Sequence, residues 1–345
     1  MKCTIQNIAD HLGLSRNTVS KALKNSSEVS ENTRNLVIKT ASKLGYKNAT
    51  FATPVIPASE TGSNGTILFL TRTYASDSEF WTTVLRGIES ILSNANYHLA
   101  ISIMSDSDLK QLNFPQTISD SSIKGIILVE ICDKVVCDAL SQFNLPIVSV
   151  DMPNVPFEEL NGIDVVTMES KKNLKKIINQ LIEKGAESFG FVGDLYSPNV
   201  SRGFQERYNA LSECLAEHQL PLNQKNCLLH QTPEDFRNFQ TTVNNLQAMI
   251  SLPDVFICGN DWTAIQLIYA LQFLGFQIPK DICVVGFDNI PAASRISPSL
   301  TTISTPQKYL GIAAARQILE RIQHPNCPHV FCQYETELII RNSTN

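Results

Sequence analysis

The sequence predicts a small all-α helix-turn-helix head joined by a linker to an α/β body of two lobes. Three observations predict it. Residues 1–46 place apolar side chains at helical spacing on either side of a glycine-containing turn. Residues 47–65 hold Pro54, Pro57, Gly62 and Gly65 among Ser, Thr and Asn, the composition of a linker. From residue 66 to 345, apolar bursts of strand length alternate with longer amphipathic stretches.

In the head, Ile5, Ile8, Ala9 and Leu12 give a first helix one apolar face. Gly13 ends it, because glycine accepts the left-handed backbone of a helix stop. Ser15 is suited to cap a second helix, its hydroxyl accepting a free backbone N–H. Val19, Ala22 and Leu23 form the buried side of that helix, leaving Arg16, Asn17, Thr18, Ser20, Lys21 and Lys24 outside. Ser30 caps a third helix by the same logic, with Leu36, Val37, Ala41 and Leu44 inward and Gly45 as its stop. A helix, a tight turn and a second helix opening with small polar and basic residues is the sequence form of a DNA-binding helix-turn-helix. Charge agrees: residues 1–50 carry a net +5 within a chain of net −5, so the remainder is acidic. A basic head on an acidic body suits a head that meets phosphate.

The body's predicted strands are 66–70, 97–103, 125–129, 147–150, 165–167, 188–192, 255–258 and 283–286. The predicted helices are 80–94, 134–142, 171–184, 202–219, 241–251, 263–274 and 306–322. Near-continuous apolar strands alternating with helices imply parallel sheets covered on both faces. About 280 residues of this pattern exceed one comfortable core, so two lobes are expected. Ligands of such folds sit beyond the carboxyl ends of strands, commonly in a cleft between lobes.

Composition narrows the class. Hydrophobic content of 43% with 18% charged residues is that of a water-soluble globular protein. No apolar run is long enough to span a membrane, and the polar N-terminus runs into the first helix without a secretory leader. The nine cysteines include no C-x-x-C pair. The five-residue spacings of Cys132/Cys137 and Cys327/Cys332 match no common zinc site. Reduced core thiols in a cytoplasm are the expectation, with no metal and no cofactor.

The head resembles that of the lactose-repressor (LacI/GalR) family of bacterial transcription regulators. The likeness continues through Pro279-Lys-Asp-Ile-Cys-Val-Val-Gly286-Phe287-Asp288-Asn289 and Pro298-Ser-Leu-Thr301-Thr302-Ile303. It extends to the helix with Pro306, Gly311 and Ala314 and to the ending Glu337–Thr344. The resemblance implies a periplasmic-binding-protein type I-like effector domain, two lobes joined by crossover strands and paired as a homodimer. It also implies a palindromic operator whose affinity is coupled to a small-molecule effector, a carbohydrate by family frequency. The corresponding domains are 1–46 (head), 47–65 (atypical hinge or linker) and 66–345 (effector binding and dimerisation).

On the DNA side, Arg16 and Asn17 match the family's principal base-reading positions. Arg can grip guanine and Asn adenine through paired hydrogen bonds. Thr4, Ser15, Thr18, Ser20, Lys24, Thr33 and Arg34 are expected near the backbone. Lys21 stands where the family more often has Arg, a point charge in place of a fork. The linker departs furthest. Pro54 falls inside the short minor-groove helix of related proteins, and Thr53 replaces its Arg. A plain tether is therefore expected in preference to an unusual wedge from Phe51 or Val55.

On the effector side, the resemblance points to Asp288 at a strand end, Arg207 in Gln205-Glu-Arg207-Tyr208, the pair Asn260-Asp261, the aromatics Phe80-Trp81 and, at the cleft edge, Asp151. Glu169 replaces a common Asp, and Ala186 stands where the family has His. Several also have a structural reading: a helix cap for an Asp that follows a buried strand, a surface ion pair for Arg207, core for Phe80 and Trp81. An enzyme is the rival class, yet the chain has no G-x-S-x-G, P-loop or G-x-G-x-x-G motif, and its six histidines share no metal spacing. A solute-binding protein built on the same body is a second rival, and a DNA binder that answers to no effector is a third.

Overall fold

A computed structural model describes residues 4–23, 29–30, 33–34, 36–37, 40–41, 63–72, 78–195, 201–230 and 238–345. The chain divides into two compact units, residues 1–62 and 63–345.

In the first unit, α1 (Ile5–Leu12) begins at Thr4, whose hydroxyl accepts from the Asn7 N–H while the Asn7 side chain accepts from the Thr4 N–H. It ends at Gly13, with φ +64°. Helix α2 (Arg16–Leu23) starts at Ser15, whose Oγ accepts from the Thr18 N–H at 3.0 Å. Residues 33–34, 36–37 and 40–41 are helical, and the Thr33 N–H donates to Ser30 Oγ at 3.4 Å. Ile8, Ala9, Val19, Ala22, Val29, Val37 and Ala41 form one small core. Leu36 departs from expectation: it is 51% exposed. Val37 and Ala41 lie one turn apart on the inward stripe, and Leu36 sits about 100° away from it. Leu44, Gly45, Lys24 and the linker positions Phe51, Thr53, Pro54 and Val55 lie outside the described residues.

The second unit contains two six-stranded sheets. Its elements run β1 (Gly65–Arg72), α3 (Glu79–Asn94), β2 (Tyr97–Met104), α4 (Asp106–Gln111), β3 (Ile123–Val129), α5 (Lys134–Ser141), β4 (Ile147–Val150) and β5 (Ile163–Met168). Then follow α6 (Lys172–Glu183), β6 (Phe189–Asp194), α7 (Arg202–Glu217), β7 (Leu228–His230), α8 (Phe239–Ala248), β8 (Val255–Cys258), α9 (Asp261–Phe273) and β9 (Cys283–Asp288). The chain closes with β10 (Thr301–Ser304), α10 (Gln307–Gln323), β11 (Phe331–Tyr334) and β12 (Glu337–Ile339).

One sheet has the order β11-β5-β4-β3-β1-β2 and the other β12-β10-β9-β8-β6-β7. All neighbours are parallel except β12, which runs antiparallel to β10. The chain passes between lobes after β5, after β10 and between β11 and β12, so the lobes are joined by crossovers as the resemblance implied.

The central strands β3, β4, β5 and β8 are almost wholly buried, as sheets covered on both faces require. Helix α10 returns from the second lobe and packs on β3, β4, β5 and α3. Two glycines make that packing close. A Cβ on Gly311 would collide with the Val84 carbonyl oxygen, and one on Gly87 would collide with that of Lys308. The C-terminal end of α10 is tied to β5 by a buried pair: Arg321 Nε and Nη2 donate to Asp164 Oδ2 and Oδ1 at 3.0 and 2.8 Å. Asp164 also accepts from the Val330 N–H at 2.8 Å, which seats β11 beside β5.

Candidate functional site

The head presents its polar residues on and around α2. Arg16 and Asn17 occupy the first turn and are exposed, while Val19 and Ala22 on the opposite side are buried. Thr18, Ser20 and Lys21 are half-buried at the edge of that face. Thr4 and Ser15 are exposed and spend their hydroxyls on capping α1 and α2. Thr33 hydrogen-bonds Ser30, its Oγ1 at 2.8 Å from Ser30 Oγ. Arg34 donates from Nη2 to the Val29 carbonyl at 3.1 Å, a bond that braces the head internally. The free backbone N–H groups at the start of α2 and the exposed Arg16 suit an anionic partner.

In the body, the carboxyl ends of the strands carry the charged groups. Arg72 ends β1, Glu130 follows β3, Asp151 follows β4, Asp194 ends β6 and Asp288 ends β9. Glu130, Asp151 and Asp288 have φ of +60°, +83° and +114°, in the left-handed region that side-chain-bearing residues rarely adopt. Such backbone strain persists only where surrounding structure fixes it, and it clusters at functional sites.

Arg207, on α7, is 3% exposed. Its Nη1 donates to the Gly259 carbonyl at 2.7 Å, its guanidinium lies 3.7 Å from the centre of the Phe287 ring, and its Nε has no hydrogen-bond acceptor. Burial pulls its pKa down, while the charges of Asp288, Asp151, Glu206 and Asp261 oppose that pull. The Asp288 backbone carbonyl accepts from Gln307 Nε2 at 2.6 Å, but its carboxylate accepts no hydrogen bond from the described residues. Burial holds that carboxyl well above the usual range; Arg207 pulls it down, and Asp261, Asp151 and Glu130 push it up. Arg207 and Asp288 therefore feel each other's charge, and each keeps hydrogen-bonding capacity unspent.

Other expected residues have structural partners. Asn260 caps α9, its Oδ1 accepting from the Thr263 N–H at 2.9 Å. Asp261 is fully buried; its oxygens accept from Thr302 Oγ1 at 2.5 Å and the Ile290 N–H at 2.9 Å. Burial raises its pKa to about 7 against those bonds. Its first helical position turns the side chain over Gly286, where an added Cβ would collide with Oδ1. This is a correction: Asp261 ties β10 to the β9 loop and presents no surface to a ligand.

Asp151 is a clasp between lobes. Its Oδ1 accepts from the Met152 N–H at 2.8 Å and its Oδ2 from Ser201 Oγ, the cap of α7, at 2.6 Å. Phe80 and Trp81 lie on the inward stripe of α3 with Val84 and Ile88. They pack edge to face at 4.6 Å within the core, so neither offers an open ring face. Glu169 caps α6, its Oε1 accepting from the Lys171 and Lys172 N–H groups at 2.7 and 2.8 Å.

Glu130, Asp194 and Arg72 went unread in the sequence. Each ends or follows an apolar burst of a parallel sheet, and the rule that ligands sit beyond carboxyl strand ends was the signal available. Burial pushes the Glu130 carboxyl up to about 7; Arg72 and Trp81 pull it down, and Asp194 and Asp151 add to the rise. Arg72 pairs with Asp106 at 2.7 Å. Among the described residues no cluster of His, Cys, Asp and Glu is arranged to hold a metal ion, and no helix is long and apolar enough to cross a membrane.

Comparison with known proteins places this geometry. Residues 4–48 match the model of bacterial regulatory proteins, lacI family, and residues 178–344 match that of the periplasmic binding protein-like domain. The chain is 26% identical to the HTH-type transcriptional repressor PurR of Photobacterium profundum and 27% identical to the ribose operon repressor of Haemophilus influenzae. In both cases 99% of this chain and 98% of the relative are covered. Its fold matches the lac repressor dimer bound to operator, with a TM-score of 0.67 at 20% identity over 100% of this chain and 99% of that one. A capped helix-turn-helix head, a crossover-linked pair of α/β lobes and these full-length likenesses agree: the chain joins a lacI-family helix-turn-helix domain to a periplasmic-binding-protein-like domain, and along its length it is similar to repressors of that family.

Proposed function

We propose that the protein is a sequence-specific transcriptional repressor, active as a homodimer on a palindromic operator in the cytoplasm and controlled by a small polar effector held between the lobes. One observation carries the reading. The same chain joins a head whose second helix exposes Arg16 and Asn17 in its first turn to a body whose Arg207 on α7 and Asp288 at the end of β9 keep unspent hydrogen-bonding capacity. The names of the similar proteins, a ribose operon repressor and a lac repressor dimer bound to operator, support both halves and favour a carbohydrate effector.

In this reading residues 1–46 bind DNA, 47–65 tether and 66–345 bind effector and dimerise. Arg16 and Asn17 read base edges. Thr18, Ser20, Lys21 and Lys24 follow the groove wall, and Thr4, Ser15, Thr33 and Arg34 brace the head beside phosphates. Arg207 donates to the effector and Asp288 accepts from it. Asn260 holds the start of α9 beside the cleft, and Phe80 and Trp81 close the cleft's wall through the packing of α3. The effector acts by changing how the lobes and the paired heads are held, a coupling that must be reciprocal.

The test is selection of binding sites from random-sequence DNA with the full chain, followed by fluorescence anisotropy. A palindromic site should emerge. Arg16→Ala should lose about 1–3 kcal/mol on that site and much less on unrelated DNA. Equal losses on both would remove the base-reading role, and failure to enrich any site would remove the repressor reading.

A further inference from the structure

We infer that the effector is a hydroxylated carboxylic acid, a uronic or aldonic acid, whose carboxylate lies against the free edge of Arg207 and the Ser170 hydroxyl, in a hollow left open by Gly203. This deepens the proposed function and rests on its assignment of the effector to the cleft.

The geometry around Gly203 carries the inference. Gly203 lies in the first turn of α7, and where a Cβ would stand on it the three nearest atoms are all polar side-chain atoms. They are Arg207 Nη2 at 3.3 Å, Ser201 Oγ at 3.4 Å and Ser170 Oγ at 3.6 Å. A glycine lets a ligand approach the backbone closely. Ser201 is spent, since its hydroxyl donates to Asp151 at 2.6 Å and accepts from the Phe204 N–H at 3.4 Å. Ser170, on the crossover after β5, is 2% exposed, and its Oγ has no hydrogen-bond partner. Arg207 is just as buried and spends only Nη1, on the Gly259 carbonyl. Its guanidinium is held against the Phe287 and Phe204 rings, 3.7 and 5.1 Å from their centres. Nε and Nη2 form one edge of that plane, and among the described residues this edge meets no acceptor.

A planar edge with two parallel N–H donors matches the two oxygens of a carboxylate, and the Ser170 hydroxyl adds a third donor. Charge separates a carboxylate from a neutral diol. Arginine stays protonated, and a buried charge without a partner is costly. Among the described residues no carboxylate forms an ion pair with Arg207. Glu206 pairs with Arg202 at 2.8 Å. The Asp151 oxygens are held by the Met152 N–H and Ser201, and those of Asp261 by Thr302 and the Ile290 N–H. Asp288 acts on Arg207 through space and keeps its carboxyl for a ligand hydroxyl. A carboxylate and hydroxyls on one small molecule answer both, which defines the class.

Titration calorimetry with the full-length protein tests this. Galacturonate, glucuronate and gluconate are paired with their neutral counterparts galactose, glucose and sorbitol. The acid of at least one pair should bind about tenfold or more tighter than its counterpart. Ser170→Ala removes a hydroxyl that nothing in the fold uses. It should leave the melting temperature and operator binding unchanged while weakening that acid about tenfold. Gly203→Ala fills the hollow at a helical position that favours alanine. It should keep or raise the melting temperature and weaken the acid by about tenfold or more. Equal or tighter binding of a neutral counterpart, or undiminished acid binding by either variant, overturns the inference and leaves the repressor reading standing. Binding by no member of either series overturns it too, and removes the carbohydrate effector of that reading as well.

Discussion

Asp288 and Arg207 show what a single residue contributes here. Burial disfavours the charge on both, and each is retained with unspent hydrogen-bonding capacity. A carboxyl whose folded pKa is raised binds more protons folded than unfolded. Its contribution to stability is therefore best at low pH and declines as pH rises from the ordinary carboxylate value toward the raised one. Asp288→Asn should thus leave the melting temperature at neutral pH unchanged or higher, and reduce the fall in stability with rising pH. The same variant should lose about 1.5–3 kcal/mol of effector affinity, the worth of a hydrogen bond to a charged group. Thermal melts across pH together with calorimetry check both; a large drop in melting temperature at neutral pH would mean the carboxylate is a structural strut. Asp261, by contrast, is such a strut, with both oxygens bonded inside its lobe. The sequence could not separate these two aspartates, because both follow buried strands and only the fold shows which one has both carboxylate oxygens bonded.

At the level of elements, strands β4 and β8 begin and end where the apolar pattern places them, because every residue in them is buried. Strand β10 escaped that pattern. Its Thr301 and Thr302 are wholly buried, but their hydroxyls bond the Arg341 carbonyl and Asp261, so polar residues build a core strand. Strands β7 and β11 and helix α4 are short and half-exposed, too brief for a period to register. The helix ends were legible through their chemistry: Ser15 and Gly13 cap as their side-chain types dictate. The close approach of α3 and α10 was invisible, since it depends on two glycines far apart in sequence. Gly311→Ala should destabilise the body by about 1–3 kcal/mol or more, as overpacking does. A Cβ there meets the backbone carbonyl of Val84, which cannot rotate away. Denaturant unfolding measures it; a neutral result would show that α10 can shift off α3 freely.

For the whole molecule, the proposed dimer has a candidate seat on α9. Trp262, Tyr269 and Phe273 lie at positions i, i+7 and i+11 of this helix and are 38, 44 and 69% exposed, and Phe273 packs at 5.8 Å against Phe239. An apolar stripe at helical spacing suits burial against a second copy. Phe273→Glu should shift the protein from dimer to monomer in sedimentation velocity and weaken operator binding, which needs two heads. An unchanged dimer would put the interface elsewhere. The two-lobed body and the head were legible as separate patterns in the sequence. A coupling between them was not legible, because any route within the body depends on contacts made only in the fold, such as the Asp151–Ser201 clasp between the lobes. The central claim is that one molecule's binding in the cleft and the operator's binding to the head are linked. The most direct measurement is the effector's affinity for the full chain with and without saturating operator, alongside the operator's affinity with and without saturating effector. The same factor, about 5–150-fold, should appear in both directions; a factor of one, with both ligands bound tightly, would contradict the linkage.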